Sequence, residues 1–197
     1  MYMICHKSKS IFVHIPKTGG TSIEHSLGYV KLKKYNSGQV EIKKHSPDHR
    51  NSQDYFNLNA VQFWRYHKFT VIRDPIEREL SLYRFVVKNF AKKTLDSYLD
   101  SVVNKDDFYQ RRTIDHKHLF SCQTDFILIN EQICLDQIIR FEDLQNGFNL
   151  LCNNINIKEQ NLLQLRKTLK KRTTEPTSAQ IQKIRKIREK DFDLLGY

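Results

Sequence analysis

Glycine is scarce in this chain, with six in 197 residues, yet two of the six stand side by side at Gly19 and Gly20. A glycine pair in so glycine-poor a sequence marks a place where the backbone must turn tightly or approach something closely. Proline is scarcer, with four residues, and no repeat or low-complexity segment interrupts the chain. The four cysteines, Cys5, Cys122, Cys134 and Cys152, form no CxxC pair. That spacing argues against a zinc site and against a disulfide scaffold, and suits a reducing compartment. No run of about 18 apolar residues is present, which excludes a spanning helix of the usual kind. The first residues, Met-Tyr-Met-Ile-Cys-His-Lys-Ser-Lys, lack the apolar stretch of a signal peptide.

Acidic residues are also in deficit. Asp and Glu number 22 against 33 Lys and Arg, for a net charge of +11. Such a balance favours a polyanionic partner or substrate, with nucleic acid and an acidic glycan as the two obvious classes. The basic clusters are dispersed, from Lys33-Lys34 and Lys43-Lys44 to Lys170-Lys171-Arg172 and Lys183 to Arg188. Most therefore read as solvated faces. No zinc-finger spacing and no RNP-type aromatic strand accompanies them, so nothing points specifically to nucleic acid.

What is present concentrates in one string, Ile11-Phe12-Val13-His14-Ile15-Pro16-Lys17-Thr18-Gly19-Gly20-Thr21-Ser22-Ile23. The β-branched run Ile11 to Ile15 predicts a short buried strand that stops at Pro16. Gly19 and Gly20 predict a turn, and Thr21-Ser22 suits the start of a helix. A strand that turns into a helix in this way presents backbone N–H groups to an anion. Lys17 adds a cation, and Thr18, Thr21 and Ser22 add hydroxyls. The pattern is not GxxxxGK[ST], because the lysine precedes the glycines, so a metal–nucleotide complex is not indicated.

A second string begins as a strand, Phe69 to Ile72, and ends in Arg73. Asp74-Pro75 fits a helix N-cap followed by proline in the first turn. Ile76, Leu80, Tyr83 and Val87 then recur at helical spacing. Arg73, a bidentate fork, and Ser81 are placed to meet a phosphate. The alternative for Arg73 is an ion pair with Asp74 or Glu77. Arg78 and Arg84 read as solvated helix charges or ion-pair partners.

These two strings, HIPKTGGTS and VIRDPIERELSLYRF, resemble the 5′-phosphosulfate loop and the 3′-phosphate segment of sulfotransferases that use 3′-phosphoadenosine 5′-phosphosulfate (PAPS). The nearest likeness is to carbohydrate sulfotransferases of the heparan sulfate 2-O-sulfotransferase kind and their bacterial relatives. Ile138-Ile139-Arg140-Phe141-Glu142-Asp143-Leu144 and the ending Asp191-Phe192-Asp193-Leu194-Leu195-Gly196-Tyr197 are similar to two further family segments.

The resemblance implies a single sulfotransferase domain over residues 1–197, with an α/β fold: a three-layer, P-loop-like arrangement of a central parallel sheet flanked by helices. It implies PAPS as donor, 3′,5′-ADP as product, and a hydroxyl acceptor, most naturally on a saccharide, which the basic surface would suit if acidic. Lys17, Thr18, Gly19, Gly20, Thr21 and Ser22 would take the 5′-phosphosulfate, and Arg73 and Ser81 the 3′-phosphate. Lys171 and Arg172 would close over the nucleotide, although the wording of that stretch departs from the family's. Lys17 would also stabilise the leaving oxygen.

His45, in Lys43-Lys44-His45-Ser46, resembles the family's catalytic histidine and is assigned as the base; its alternative is a solvated loop histidine. Gln123 resembles a family glutamine near the substrate. His14 and His116 are assigned to the substrate side, with a core histidine that fixes the loop as the alternative for His14. No metal site and no nucleic-acid partner is expected. Lacking the membrane anchor and stem of Golgi relatives, the chain is expected to be a soluble, cytoplasmic, bacterial enzyme. Two rival readings are a basic polyanion- or nucleic-acid-binding protein and a P-loop small-molecule kinase.

The remaining pattern predicts a polar active-site loop or lid from about Tyr29 to Asn57 and a helix over Asn59 to Tyr66. It predicts another helix over Thr94 to Val103 and a charged connector over Phe108 to Phe120. Two short strands are expected at Phe126 to Asn130 and Gln137 to Phe141, then a helix over Glu142 to Asn153 with Leu144, Phe148 and Leu151 inward. A terminal helix over Ser178 to Phe192 would start at Pro176-Thr177.

Overall fold

A computed structural model of the chain describes residues 3–29, 32–34, 40–42, 49–89, 93–104, 120–163 and 175–197. These fall into two compact units. The first is built from residues 1–72 and 126–167, the second from residues 73–125 and 168–197.

The first unit carries the sheet. Strands β1 (Ile4–Cys5), β2 (Ser10–Val13), β5 (His67–Ile72) and β8 (Gln137–Arg140) lie in the order β1-β2-β5-β8. β2, β5 and β8 are parallel, and β1 is a two-residue antiparallel edge. Every residue of β2 is buried, as expected of a parallel strand covered on both faces. Phe12 lies opposite Phe69 in the register, and their rings stack at 4.9 Å. Side chains as completely buried as Phe12, Val13, Phe69 and Val71 contribute about 1.5–3 kcal/mol each. The Thr70 hydroxyl ties β5 to β2 by donating to the Val13 carbonyl at 2.7 Å.

Among the described residues, helices of this unit include α1 (Gly20–Ser26), α2 (Ser52–Leu58), α3 (Ala60–Arg65) and α7 (Leu144–Asn154). α7 sits close on β8, because a β carbon on Gly147 would stand 2.4 Å from Ile139 Cγ2. Phe148 and Leu151 are buried and Leu144 half-buried, in keeping with their spacing. Small antiparallel pairs form between β3 (Leu32–Lys34) and β4 (Val40–Ile42), and between β6 (Leu128–Ile129) and β7 (Gln132–Ile133). The architecture is thus mixed α/β, a mostly parallel sheet flanked by helices.

Two expectations need correction. The polar stretch read as a loop from Tyr29 to Asn57 contains β3, β4 and most of α2. Asn51 and Asp54 close a reciprocal capping box that starts α2, and Tyr55 buries its face. The strand expected from Phe126 is instead a helical turn, α6 (Thr124–Ile127), followed by the two residues of β6.

The described part of the second unit is helical. Its elements include α4 (Pro75–Asn89), α5 (Leu95–Val103), α8 (Ser178–Ile187) and α9 (Glu189–Leu195). The caps are those expected. Asp74 Oδ1 accepts from the Glu77 N–H at 2.9 Å, and Thr177 with Gln180 forms a capping box. Leu80, Leu82, Val86, Tyr98, Leu99 and Ile184 form the core. The terminal helix does not run unbroken to Phe192. It divides at Arg188, whose guanidinium turns inward.

Candidate active site

β2 delivers the chain to the glycine pair. His14, Ile15 and Pro16 are buried, and the backbone then turns left-handed twice, at Lys17 (φ 71°) and at Gly19 (φ 85°). A lysine in that region is strained by about 1–3 kcal/mol, a state that survives only where the surroundings enforce it and that clusters at functional sites. The enforcement is visible. The fully buried Thr18 donates its hydroxyl proton to the Ile15 carbonyl at 2.8 Å, and the Ser22 N–H donates to the Gly19 carbonyl at 3.0 Å.

Both glycines are required by space. A β carbon on Gly19 would stand 2.8 Å from the Phe141 ring, and one on Gly20 would stand 2.1 Å from His14 Nε2. The loop is therefore pressed between an imidazole and an aromatic ring, with bare backbone at both points.

His14 is held firmly. Its Nδ1 pairs with Oε1 of the fully buried Glu24 at 2.6 Å, and its ring stacks on Phe12. His49 packs edge-on against it at 4.5 Å between centroids. His49 Nδ1 lies 3.1 Å from the His14 carbonyl oxygen. A carbonyl only accepts, so Nδ1 carries the proton, and in the neutral ring the basic lone pair belongs to Nε2. Neither Glu24 nor His49 stands out in the sequence. The one signal for His49 is its place four residues after His45; for Glu24 it is a carboxylate on the helix that the glycines begin.

In the second unit, Arg73 is gripped through its backbone. Its N–H donates to Gln123 Oε1 at 2.9 Å, and Gln123 Nε2 donates to its carbonyl at 2.8 Å. Gln123 is fully buried, and both ends of its amide are used here. The Arg73 guanidinium donates to Glu77 one turn along α4, at 3.1 Å. Glu77 is half exposed, so this contact is weak and exchangeable. Ser81, two turns into α4, is buried.

Of the two readings for Arg78, a solvated helix charge or an ion-pair partner, the first fails. It is fully buried, and its guanidinium donates to the Ser121 carbonyl at 3.0 Å. Beside it lies a cluster of charge. Arg188 Nε donates to Glu79 Oε2 at 2.7 Å, and the Tyr98 hydroxyl donates to Glu79 Oε1 at 2.7 Å. Arg188 also reaches the Phe120 carbonyl. Burial alone would raise the Glu79 carboxyl, but the adjacent Arg188, with Tyr98 and Arg78, holds it below the usual carboxylate value. Burial, and then repulsion from Arg188, pushes Arg78 down to about 10, which leaves it charged at neutral pH. Burial and the Glu79 charge push the Tyr98 phenol well up.

His45, His116, Lys171 and Arg172 lie outside the described residues. Among the described residues no three His, Cys, Asp or Glu side chains are grouped to hold a metal ion, and no helix is long and apolar enough to cross a membrane.

The sequence model of the sulfotransferase family matches residues 1–197, the whole chain. The chain belongs to the sulfotransferase family. No curated protein and no solved structure matches it. As a sulfotransferase it is a transferase of sulfuryl groups.

Proposed function

We propose that this sulfotransferase uses PAPS as its donor and a hydroxyl of a saccharide or glycan as its acceptor. The observation that carries the reading is the loop between Lys17 and Ser22. It is held in a left-handed turn with no room for a β carbon at either glycine, a shape that suits backbone approach to a phosphosulfate. The basic balance of the chain agrees with an anionic donor and an acidic glycan. Residues 1–197 are read as a single sulfotransferase domain of a three-layer, P-loop-like kind.

PAPS supplies an activated sulfuryl group on a phosphate leaving group. Gly19, Gly20 and Thr21 cradle the 5′ end with backbone N–H groups, and Thr21 and Ser22 add hydroxyls, the Ser22 N–H being given to Gly19. Thr18 contributes through its backbone, since its hydroxyl proton is given to Ile15. Lys17 neutralises charge on the oxygen that bridged sulfur and phosphorus as the S–O bond breaks. Arg73 and Ser81 take the 3′-phosphate, and Arg73 exchanges Glu77 for it. Lys171 and Arg172 cover the nucleotide. His45 removes the acceptor proton as the new O–S bond forms. His14, assigned from the sequence to the substrate side, is buried and clamped by Glu24 and keeps the loop in shape. Gln123, assigned there too, spends its buried amide on the Arg73 backbone and so acts on the nucleotide side, which leaves His116 for the acceptor.

Incubation with radiolabelled PAPS and a panel of neutral and acidic saccharides tests this reading. Label should pass to at least one hydroxyl acceptor, and immobilised 3′,5′-ADP should retain the protein while ATP–magnesium does not. Retention on ATP–magnesium alone would overturn it.

A further inference from the structure

The second unit contains a chain of contacts that runs from the last helix to the backbone of Arg73. Asp191, on α9, is fully buried. Its Oδ2 accepts from the Gln123 N–H at 2.9 Å. Its Oδ1 accepts from the Thr124 N–H at 3.0 Å and from the Thr124 hydroxyl at 3.1 Å. One carboxylate thus satisfies the first donors of α6 and fixes the residue whose side chain grips both sides of Arg73. One turn earlier Arg188 is anchored by Glu79, on the same helix that Arg73 precedes. The α9 end is closed by Gly196 in the left-handed region, with Leu195 buried.

We infer that Asp191 is a positioning residue for the donor's 3′-phosphate: through Gln123 it sets where Arg73 stands, so the C-terminal helix is part of the nucleotide site. This rests on the proposed assignment of Arg73 to that phosphate. The physical argument is one of over-determination. The direction in which the Arg73 side chain leaves the backbone is fixed by its peptide groups, and both are held by one buried amide. The amide in turn can hold them only if its own backbone is held, and the carboxylate does that. Three charge-assisted bonds in a dry setting are stiffer than the neutral turn they replace. A fork that must meet a phosphate with two bonds loses affinity when misplaced by an ångström.

Asp191→Asn and Gln123→Glu separate this role from simple stability. Asparagine can accept on one side only, so either the Gln123 or the Thr124 N–H then faces an amide NH2. Glutamate keeps the acceptor for the Arg73 N–H but sets a carboxylate against the Arg73 carbonyl. Calorimetric affinities for 3′,5′-ADP and 5′-AMP are measured on each folded variant, well below its melting temperature. Both variants should lose about tenfold of the wild-type preference for 3′,5′-ADP, the effect of one misplaced charge-assisted hydrogen bond, with 5′-AMP affinity unchanged. Thr124→Val, which removes only the hydroxyl contact, should lose a smaller part of it and remain folded.

Variants that keep the full preference, or that weaken both nucleotides equally, overturn the inference. Should Asp191→Asn fail to fold, Gln123→Glu and Thr124→Val decide by the same criterion. A wild-type protein with no preference for 3′,5′-ADP over 5′-AMP would instead bring down the donor-site assignment, and this inference with it.

Discussion

His14 occupies the space that a β carbon on Gly20 would need: the imidazole Nε2 lies 2.1 Å from that position. The histidine cannot swing aside cheaply, because Glu24 holds its other nitrogen at 2.6 Å and Phe12 stacks on its face. Gly20→Ala should therefore destabilise the protein by about 1–3 kcal/mol through overpacking. It should also distort the loop and lower turnover, as a thermal melt and a transfer assay would show together. A normal melting temperature in that variant would mean that His14 is looser than its contacts indicate.

Lys17→Ala should lower kcat by about 10²-fold or more while 3′,5′-ADP affinity changes little. The reason is that charge on the bridging oxygen grows mainly in the transition state. Single-turnover rates alongside calorimetry check this. An unchanged rate would leave Lys17 as a strained surface residue only.

The Glu79 cluster predicts an acid dependence of stability. The Glu79 carboxyl titrates lower in the folded chain than in the unfolded one. Its stabilising contribution is then complete above the unfolded value, near 4.5, and is lost as pH falls through the lower folded value. Glu79→Gln leaves Arg188 buried without its counter-charge and should cost about 3–5 kcal/mol at neutral pH. Melts from about pH 6 to pH 3 should fall less steeply with acid for the variant than for the wild type.

The proposed base, His45, is tested against His49, the histidine that packs on His14. His45→Ala should abolish transfer with 3′,5′-ADP affinity unchanged, and the wild-type rate should drop as pH falls through the imidazole pKa, ordinarily about 6.5. His49→Ala removes the hydrogen bond to the His14 carbonyl. It should slow the reaction yet keep that acid limb. If the limb vanishes with His49 and persists without His45, Nε2 of His49 is the basic atom.

Much of the fold is legible in the amino-acid sequence alone. The run Ile11 to Ile15 and the cap Asp74-Pro75 predict the right elements because local propensity, burial and capping agree there. The helix over Ser52–Leu58 escapes such a reading, since its capping residues Asn51 and Asp54 are the same polar types that make loops. The strand expected at Phe126 fails for a longer-range reason: Asp191, far along the chain, holds the N–H groups of Gln123 and Thr124 in a helical turn. Arg78 and Arg188 mislead because a charged side chain signals solvent until its partners are known. Their partners include Glu79 and the carbonyls of Phe120 and Ser121. Of the candidate site, the glycine loop and Arg73 announce themselves by pattern, whereas a single position such as His49 carries none.

Phe141 fills the space beside Gly19, so the segment Ile138 to Leu144 and the glycine pair are two halves of one joint. The loop is consequently not portable. Transplanted into another scaffold as a nine-residue string, HIPKTGGTS would arrive without the ring that backs it, and would relax. Any variant that enlarges Gly19 meets both the Phe141 ring and a left-handed backbone, so a smaller residue at Phe141 removes the clash but not the strain, and a library that randomises Gly19 should return mostly glycine.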